Sequence, residues 1–433
     1  MLRRLALACS LLAGLLTVSC GGDSAGDASS GTTAGSGAGA GTGAGATTGT
    51  GATGSGGGSD EYGPWEGGAE YYGKWKNGPP SDPSFFPITV WLQSPDRAAD
   101  YKAIGIDMFI GLWEGPTDAQ LTTLAAAGMS AACDQNDVGL AHASDKTIEA
   151  WTHQDEPDNA QPDGMGGYDP CVATDAIVDL YKTMKTKDPS RPVFLNFGRG
   201  VSDENWIGRG DCTGHLDDYP KYTQGADIVS YDIYPVNDQD PPTSGNLWYV
   251  AQGVDRLREY SNYQKPVWNW IECTAISDPT HKPSPADVRA EVWMSIVHGS
   301  LGIGYFVHQF EPSFDEHALL DDPEMKAAVA AINQQIHDLA PVLNTPPLAK
   351  AASVASSAAD VPIDILAKRG DGALYVFAVA MRGSATHGTF DLSEPPGATS
   401  AEVLGEGRTV PLQGGSFEDD FDGYGVHLYK IGP

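Results

Sequence analysis

Two glutamates stand where they could work as a pair. Glu156 is the centre of the acidic run THQDEPDN (residues 152–159), and Glu272 belongs to the aromatic run VWNWIEC (residues 267–273). Each follows an apolar or aromatic segment that reads as a strand. A pair of carboxyl groups can cleave a glycosidic bond with retention. One, as the acid, protonates the leaving oxygen, and the other, as the carboxylate, attacks the anomeric carbon from the opposite face. This chemistry needs the two groups about 5–5.5 Å apart. Asp155 stands beside Glu156, and a neighbouring negative charge disfavours ionisation, which suits a proton donor.

Two such residues meet only if the chain brings distant strands to one mouth. Eight short apolar segments alternate with helical patterns: residues 87–93, 107–113, 129–135, 148–157, 192–198, 227–235, 265–273 and 302–310. The clearest helices are 118–127, 173–185, 247–261, 285–298 and 323–339, the first and fourth opened by Thr117 and Ser284-Pro285. Eight strand–helix units over roughly 250 residues predict an α/β fold, a (β/α)₈ barrel across residues 61–343. An open doubly wound sheet is the alternative, but no Gly-rich phosphate loop follows the first strand. Glu156 and Glu272 then fall at the ends of the fourth and seventh strands, facing one mouth. From about residue 344 to 433 short alternating strands replace the helices and predict an antiparallel β-sandwich, either a glycan binder or a domain packed on the barrel.

On these residues the chain resembles the clan A glycoside hydrolases. That clan carries an acid/base Glu after the fourth strand, usually within Asn-Glu-Pro, and a nucleophilic Glu after the seventh. Here the first motif is Asp155-Glu156-Pro157. The resemblance covers roughly residues 61–343 and implies that Glu156 is the acid/base and Glu272 the nucleophile. The Asp replaces an Asn that donates to the sugar 2-hydroxyl; an ionised Asp155 can only accept from that hydroxyl. The resemblance also implies a tyrosine after the sixth strand that bonds the nucleophile, and Tyr234 fits, with Tyr231 as the alternate register.

Other candidates are substrate contacts. Trp113 and Trp270 lie near strand ends and offer faces on which sugar rings stack, while Trp91, Trp268 and Tyr305 read equally as core. Asn196 and His308 are polar groups at the fifth and eighth strands able to bind hydroxyls, as are Asp134, Gln135 and Gln309. His153 reads as either a core histidine or a substrate contact. No HxH motif on the first strand and no Cys/His spacing suggests a metal, and no cofactor is expected.

The chain has 433 residues and a net charge of −31, which argues against nucleic acid or polyanionic substrates and leaves neutral glycans open. Arg3 and Arg4 precede the apolar run Leu5–Val18, and Thr17-Val18-Ser19-Cys20 resembles a bacterial lipoprotein signal. Residues 1–20 are therefore expected to be a signal, with a lipid anchor at Cys20 as the membrane link, or else an ordinary secretory leader. Residues 21–60, almost all Gly, Ala, Thr and Ser, form a linker with a span of roughly 35 Å. Export permits disulfides, and Cys171 with Cys212 is the expected pair, since both follow neighbouring strands; Cys133 and Cys273 read as buried thiols. The whole is expected to be a monomeric extracytoplasmic glycosidase, with a non-catalytic glycan-binding lipoprotein on the same scaffold as the alternative.

Overall fold

The computed structural model describes residues 61–393 and 397–432. The expected signal, Cys20 and the expected linker lie outside the described residues, and no described helix is long and apolar enough to cross a membrane.

Eight parallel strands close into a barrel: β1 (Ile88–Gln93), β2 (Met108–Leu112), β3 (Ser130–Cys133), β4 (Ile148–Thr152), β5 (Val193–Phe197), β6 (Ile228–Asp232), β7 (Val267–Glu272) and β8 (Ile303–Phe306). Each strand pairs with its sequence neighbours, and β8 returns to β1 with Ile88 opposite Ile303. Alternate residues divide between two environments. Met108, Ile110, Ala132, Phe194, Ile228, Trp268 and Trp270 fill the barrel interior. Phe109, Cys133, Leu195, Val229, Ile271 and Tyr305 face the helix layer. Burial on both faces is why these strands read as apolar runs rather than alternations.

The helix layer comprises α1 (Ala98–Ala103), α2 (Asp118–Ala127), α3 (Asp137–Ala141), α4 (Thr174–Lys187), α5 (Tyr249–Tyr260), α6 (Pro285–Val297) and α7 (Pro323–Leu343). Reciprocal capping boxes start α2, through Thr117 and Gln120, and α6, through Ser284 and Asp287. Before β1, the turn Gly68–Lys74 brings Tyr71 and Tyr72 to the inner cluster, and Tyr72 Oη accepts the Trp268 indole N–H at 2.9 Å.

Two indoles inside one barrel demand space elsewhere. Gly304 on β8 supplies it, because a Cβ there would overlap the Trp270 ring. Trp270 meets Trp91 edge-on with ring centroids 4.9 Å apart.

The C-terminal sandwich has eight strands: β9 (Ala352–Ser356), β10 (Ile363–Gly370), β11 (Ala373–Ala380), β12 (Thr386–Leu392), β13 (Ser400–Val403), β14 (Arg408–Pro411), β15 (Ser416–Phe421) and β16 (Val426–Ile431). They form sheets ordered β9-β12-β15 and β10-β11-β16-β13-β14. Six of these strands are legible in the sequence. β9, partly polar and half-buried, and β15, which carries Glu418, Asp419 and Asp420, lack the apolar pattern of a strand. β11 is buried along its whole length: Leu374, Val376 and Ala378 face the sandwich core, while Tyr375, Phe377 and Val379 join the barrel's helix layer. Phe377 packs on Trp293 of α6 at 5.4 Å. The sandwich therefore shares a core with the barrel.

An ion triad crosses the same junction. His298, capping α6, bonds Asp255 of α5 at 2.9 Å and Asp364 of β10 at 3.2 Å. Burial opposes its charge, but the two carboxylates overcome this and raise its pKa to about 9. A folded pKa above the unfolded value means the stabilisation is complete below about pH 6.5 and fades as pH rises through about 9. Replacing His298 by Gln should remove on the order of 2 kcal/mol at pH 6, allowing for the exposed carboxylates, and nothing at pH 10. Urea unfolding at both pH values checks this; an equal loss at both would refute the charge argument. Gly304→Ala should cost about 1–3 kcal/mol through overpacking against Trp270, seen as a lower urea midpoint with unchanged slope.

Candidate active site

The acidic run does not continue β4 as the sequence suggests. The strand stops at Thr152, and the chain turns across the barrel mouth while still bonding β5: His153 N donates to Phe194 O at 3.0 Å and Glu156 N to Asn196 O at 3.2 Å. Glu156 adopts φ 41°, a left-handed conformation rare for a non-glycine residue and held only by surrounding structure. Asp158 anchors the turn from below. It is fully buried, accepts from Gly198 N at 3.0 Å and from Tyr219 Oη at 2.8 Å, and its carbonyl accepts from Arg209 Nε at 3.1 Å. The Cys171–Cys212 disulfide, as expected, ties the segments after β4 and β5. Cys133 and Cys273 are free and buried. Gly198 leaves room for the turn's side chains: a Cβ there would lie 2.5 Å from Asn159 Nδ2 and 2.8 Å from Glu156 Oε1.

Three strands and the turn after β4 contribute to one polar chain. Trp270 Nε1 donates to Ser230 Oγ (3.1 Å), and Ser230 Oγ donates to Asn196 Oδ1 (2.7 Å). Asn196 Nδ2 then donates to both Asp155 Oδ1 and Asp232 Oδ1, each at 3.0 Å. Asp232 also receives hydrogen bonds from Glu156 and Tyr234. Three neighbouring, half-buried carboxyl groups cannot all ionise. Burial, then the charges of Asp232 and Asp155, push Glu156 well above the usual carboxylate range. Asp155 rises through burial and Asp232; Asp232 rises through burial but is held lower by its Asn196, Glu156 and Tyr234 donors. Glu156 thus keeps the proton and Asp232 carries the charge. The sequence argument assigned the effect to Asp155, whereas burial is the larger cause and Asp232 the larger neighbouring charge.

Glu156 and Asp232 face a narrow cleft of about 60 Å³, whose walls include Asn159, Trp206, Tyr234 and Phe306. Arg199 lies 4.3 Å over the Trp206 ring and is neutralised by Asp238 (2.8 Å) and Asp203 (3.1 Å).

Glu272 ends β7 but does not line this cleft. It is 0% exposed. Its Oε1 accepts from Val236 N at 2.6 Å, and its Oε2 accepts from Asn237 N at 2.8 Å and Asn237 Nδ2 at 2.5 Å. Burial raises it to about 7 against these donors. Glu291 on α6, also 0% exposed, is pushed well up by burial and by Glu272. The Tyr234 hydroxyl bonds Asp232, where the resemblance implied a bond to Glu272. Tyr231 points outward and bonds the carbonyls of Tyr249 and Val250.

The remaining candidates are placed around the barrel top and interior. Asn196 is the hub just described. Trp270 is 2% exposed inside the barrel, and Trp113, 5% exposed, stacks on His308 with ring centroids 5.7 Å apart. His308 is 0% exposed, lies 2.8 Å from Leu92 O, and is held down to about 4 by burial. His153 is a core histidine bonded to Gly225 O at 2.7 Å. Asp232, Asn159, Arg199 and Trp206 were not singled out in the sequence. Asp232 was legible in principle: it stands two residues before Tyr234 in SYDIYP.

No protein-family model matches the chain, and no curated protein matches it. Among solved structures it is similar to an alpha-amylase from Geobacillus thermoleovorans complexed with acarbose, at 12% identity and TM-score 0.49, over 80% of this chain and 98% of that one. It is also similar to an alpha-amylase from Lactobacillus plantarum, at 12% identity and TM-score 0.47, over 80% and 99% of the two chains. A family 30 endoxylanase from Clostridium papyrosolvens is similar at 12% identity and TM-score 0.43, over 80% and 95%.

Proposed function

We propose that this chain is an exported glycoside hydrolase that cleaves a neutral poly- or oligosaccharide with retention, Glu156 serving as acid/base and Glu272 as nucleophile. The observation that carries the reading is Glu156 hydrogen-bonded to Asp232 on one cleft at the mouth of a parallel barrel, where burial and that neighbouring charge favour its protonated form. In the first step the Glu156 proton passes to the glycosidic oxygen as that bond breaks, and a Glu272 oxygen bonds the anomeric carbon. In the second, the Glu156 carboxylate takes a proton from water, whose oxygen displaces Glu272. Glu272 is tied up by Val236 and Asn237, so this reading requires the segment after β6 to withdraw when substrate binds. The same enclosure favours a second reading, a glycan-binding barrel without turnover. The lipid anchor at Cys20, or simple secretion, belongs to both.

Substitution separates the roles. Glu156→Ala should cost most with poor leaving groups and least with an activated aryl glycoside, and azide should restore turnover by attacking the glycosyl-enzyme without a general base. Glu272→Ala should lose activity by orders of magnitude on every substrate. Near-normal activity of Glu272→Ala excludes it as nucleophile. Glycan binding by the wild type without turnover, across a neutral polysaccharide panel, selects the second reading.

The pH profile tests the proton assignment. Glu272 must be ionised and Glu156 protonated, so kcat/KM should rise through about pH 7 and fall as Glu156 ionises. Asp232→Asn removes a negative charge that favours neutral Glu156. Its pKa therefore falls, and the descending limb should move to lower pH. A descending limb that stays in place would show that Asp232 does not set the Glu156 proton.

A further inference from the structure

A second cluster of chemistry-bearing side chains lies where the barrel closes. Gln93 ends β1 and is fully buried. Its Nε2 is 3.0 Å from Trp91 O and 3.3 Å from Leu92 O, and two carbonyl partners identify it as the amide nitrogen. Gln93 Oε1 is therefore an acceptor. It receives the Tyr101 hydroxyl at 2.8 Å and His317 Nδ1 at 2.9 Å. An acceptor opposite Nδ1 requires the proton there, which leaves His317 Nε2 as a lone pair in the neutral ring.

Nε2 faces two carboxylates. Nε2 is buried without a hydrogen-bond partner, 3.4 Å from Asp96 Oδ1 and 3.8 Å from Glu316 Oε1. Glu316 is oriented too, because its other oxygen accepts Ser94 N at 3.0 Å. The three atoms lie within 4.8 Å of one another, the only such group among the described residues. Ligands bound at about 2.0–2.2 Å to one ion stand up to about 4 Å apart, so a small contraction brings all three onto one centre. Arg97, the nearby cation, is engaged by Asp100 (2.6 Å) and Asp321 (3.1 Å).

We propose that Asp96, Glu316 and His317 form a divalent transition-metal site, taking zinc or manganese. One imidazole nitrogen with two carboxylate oxygens suits these ions, whereas calcium favours an all-oxygen cage. Gln93 and Tyr101 set the tautomer as outer partners. Asp96 sits in the turn after β1, and Glu316 and His317 sit between β8 and α7. The ion would thus join the first and last barrel strands at their shared seam. None of the three residues lines the Glu156 cleft, so the role is structural and independent of the glycosidase reading. The sequence contained no compact metal motif because the ligands come from opposite ends of the barrel.

The test uses untagged full-length mature protein, stripped with EDTA and dialysed. Zinc chloride or manganese chloride is titrated by calorimetry, and thermal unfolding is followed with and without each metal. One equivalent should bind and raise the unfolding midpoint. Binding should weaken at least tenfold in Asp96→Asn, whose exposed side chain can change without disturbing the core, and disappear in Glu316→Gln and His317→Gln. Absence of binding by both metals, or unchanged binding in Asp96→Asn and Glu316→Gln, would overturn the proposal and leave His317 as an imidazolium between two carboxylates.

Discussion

Three enclosed carboxyl groups that cannot all ionise are the constraint on which the candidate site depends. Asp155, Glu156 and Asp232 converge at the barrel mouth, where burial makes each charge expensive and each raises the cost for the others. The Asn196 amide resolves this by donating to both aspartates and to neither oxygen of Glu156. Glu156, which Asn196 does not reach, is pushed well above the usual carboxylate range by burial and by its neighbours' charges. That residue is also the one bent into a left-handed conformation and pressed against Gly198. Asn196 is itself oriented by Ser230 and Trp270, so an indole in the barrel core settles which way the amide faces.

The core is built to permit this. Trp268 and Trp270 occupy volume that most barrels of this kind fill with aliphatic residues. Their neighbours just before and on β8 are accordingly stripped to glycine, at Gly302 and Gly304. Two indoles bring two N–H donors into an apolar interior, and each finds an oxygen, Tyr72 below and Ser230 above. The sandwich adds a second constraint from outside. Because β11 serves both cores, and His298 bridges Asp255 to Asp364, the helix layer around β7 is held between the two domains. Glu291 lies on α6 within that layer, and Glu272, at the end of β7, is fully buried beside it.

The eight barrel strands, five principal helices and six of the eight sandwich strands are legible as patterns, because burial on one or two faces imposes a period on the residues. The strand ends are less so. The runs through residues 153–157, 233–235 and 307–310 keep strand-like texture but leave the sheet to build the mouth, and local sequence does not distinguish a strand from a loop that continues to bond its neighbour. Trp270 and His308 show the same limit. Their residue types suit a sugar site, yet side-chain direction at a strand end places one in the core and the other under Trp113.

By itself the sequence determined the barrel, the sandwich, the disulfide pair and the place of Glu156 after the fourth strand, since each rests on a local pattern or on the order of elements along the chain. Only the tertiary structure decided which carboxylates meet. Asp232 reaches Glu156 because β5 and β6 follow β4 around the barrel and Asn196 spans the gap. Glu272 turns instead to Val236, Asn237 and Glu291. Asp96 and His317 meet because the last strand closes on the first. Charge placement of this kind depends on distances across the barrel, to which spacing along the chain carries no information.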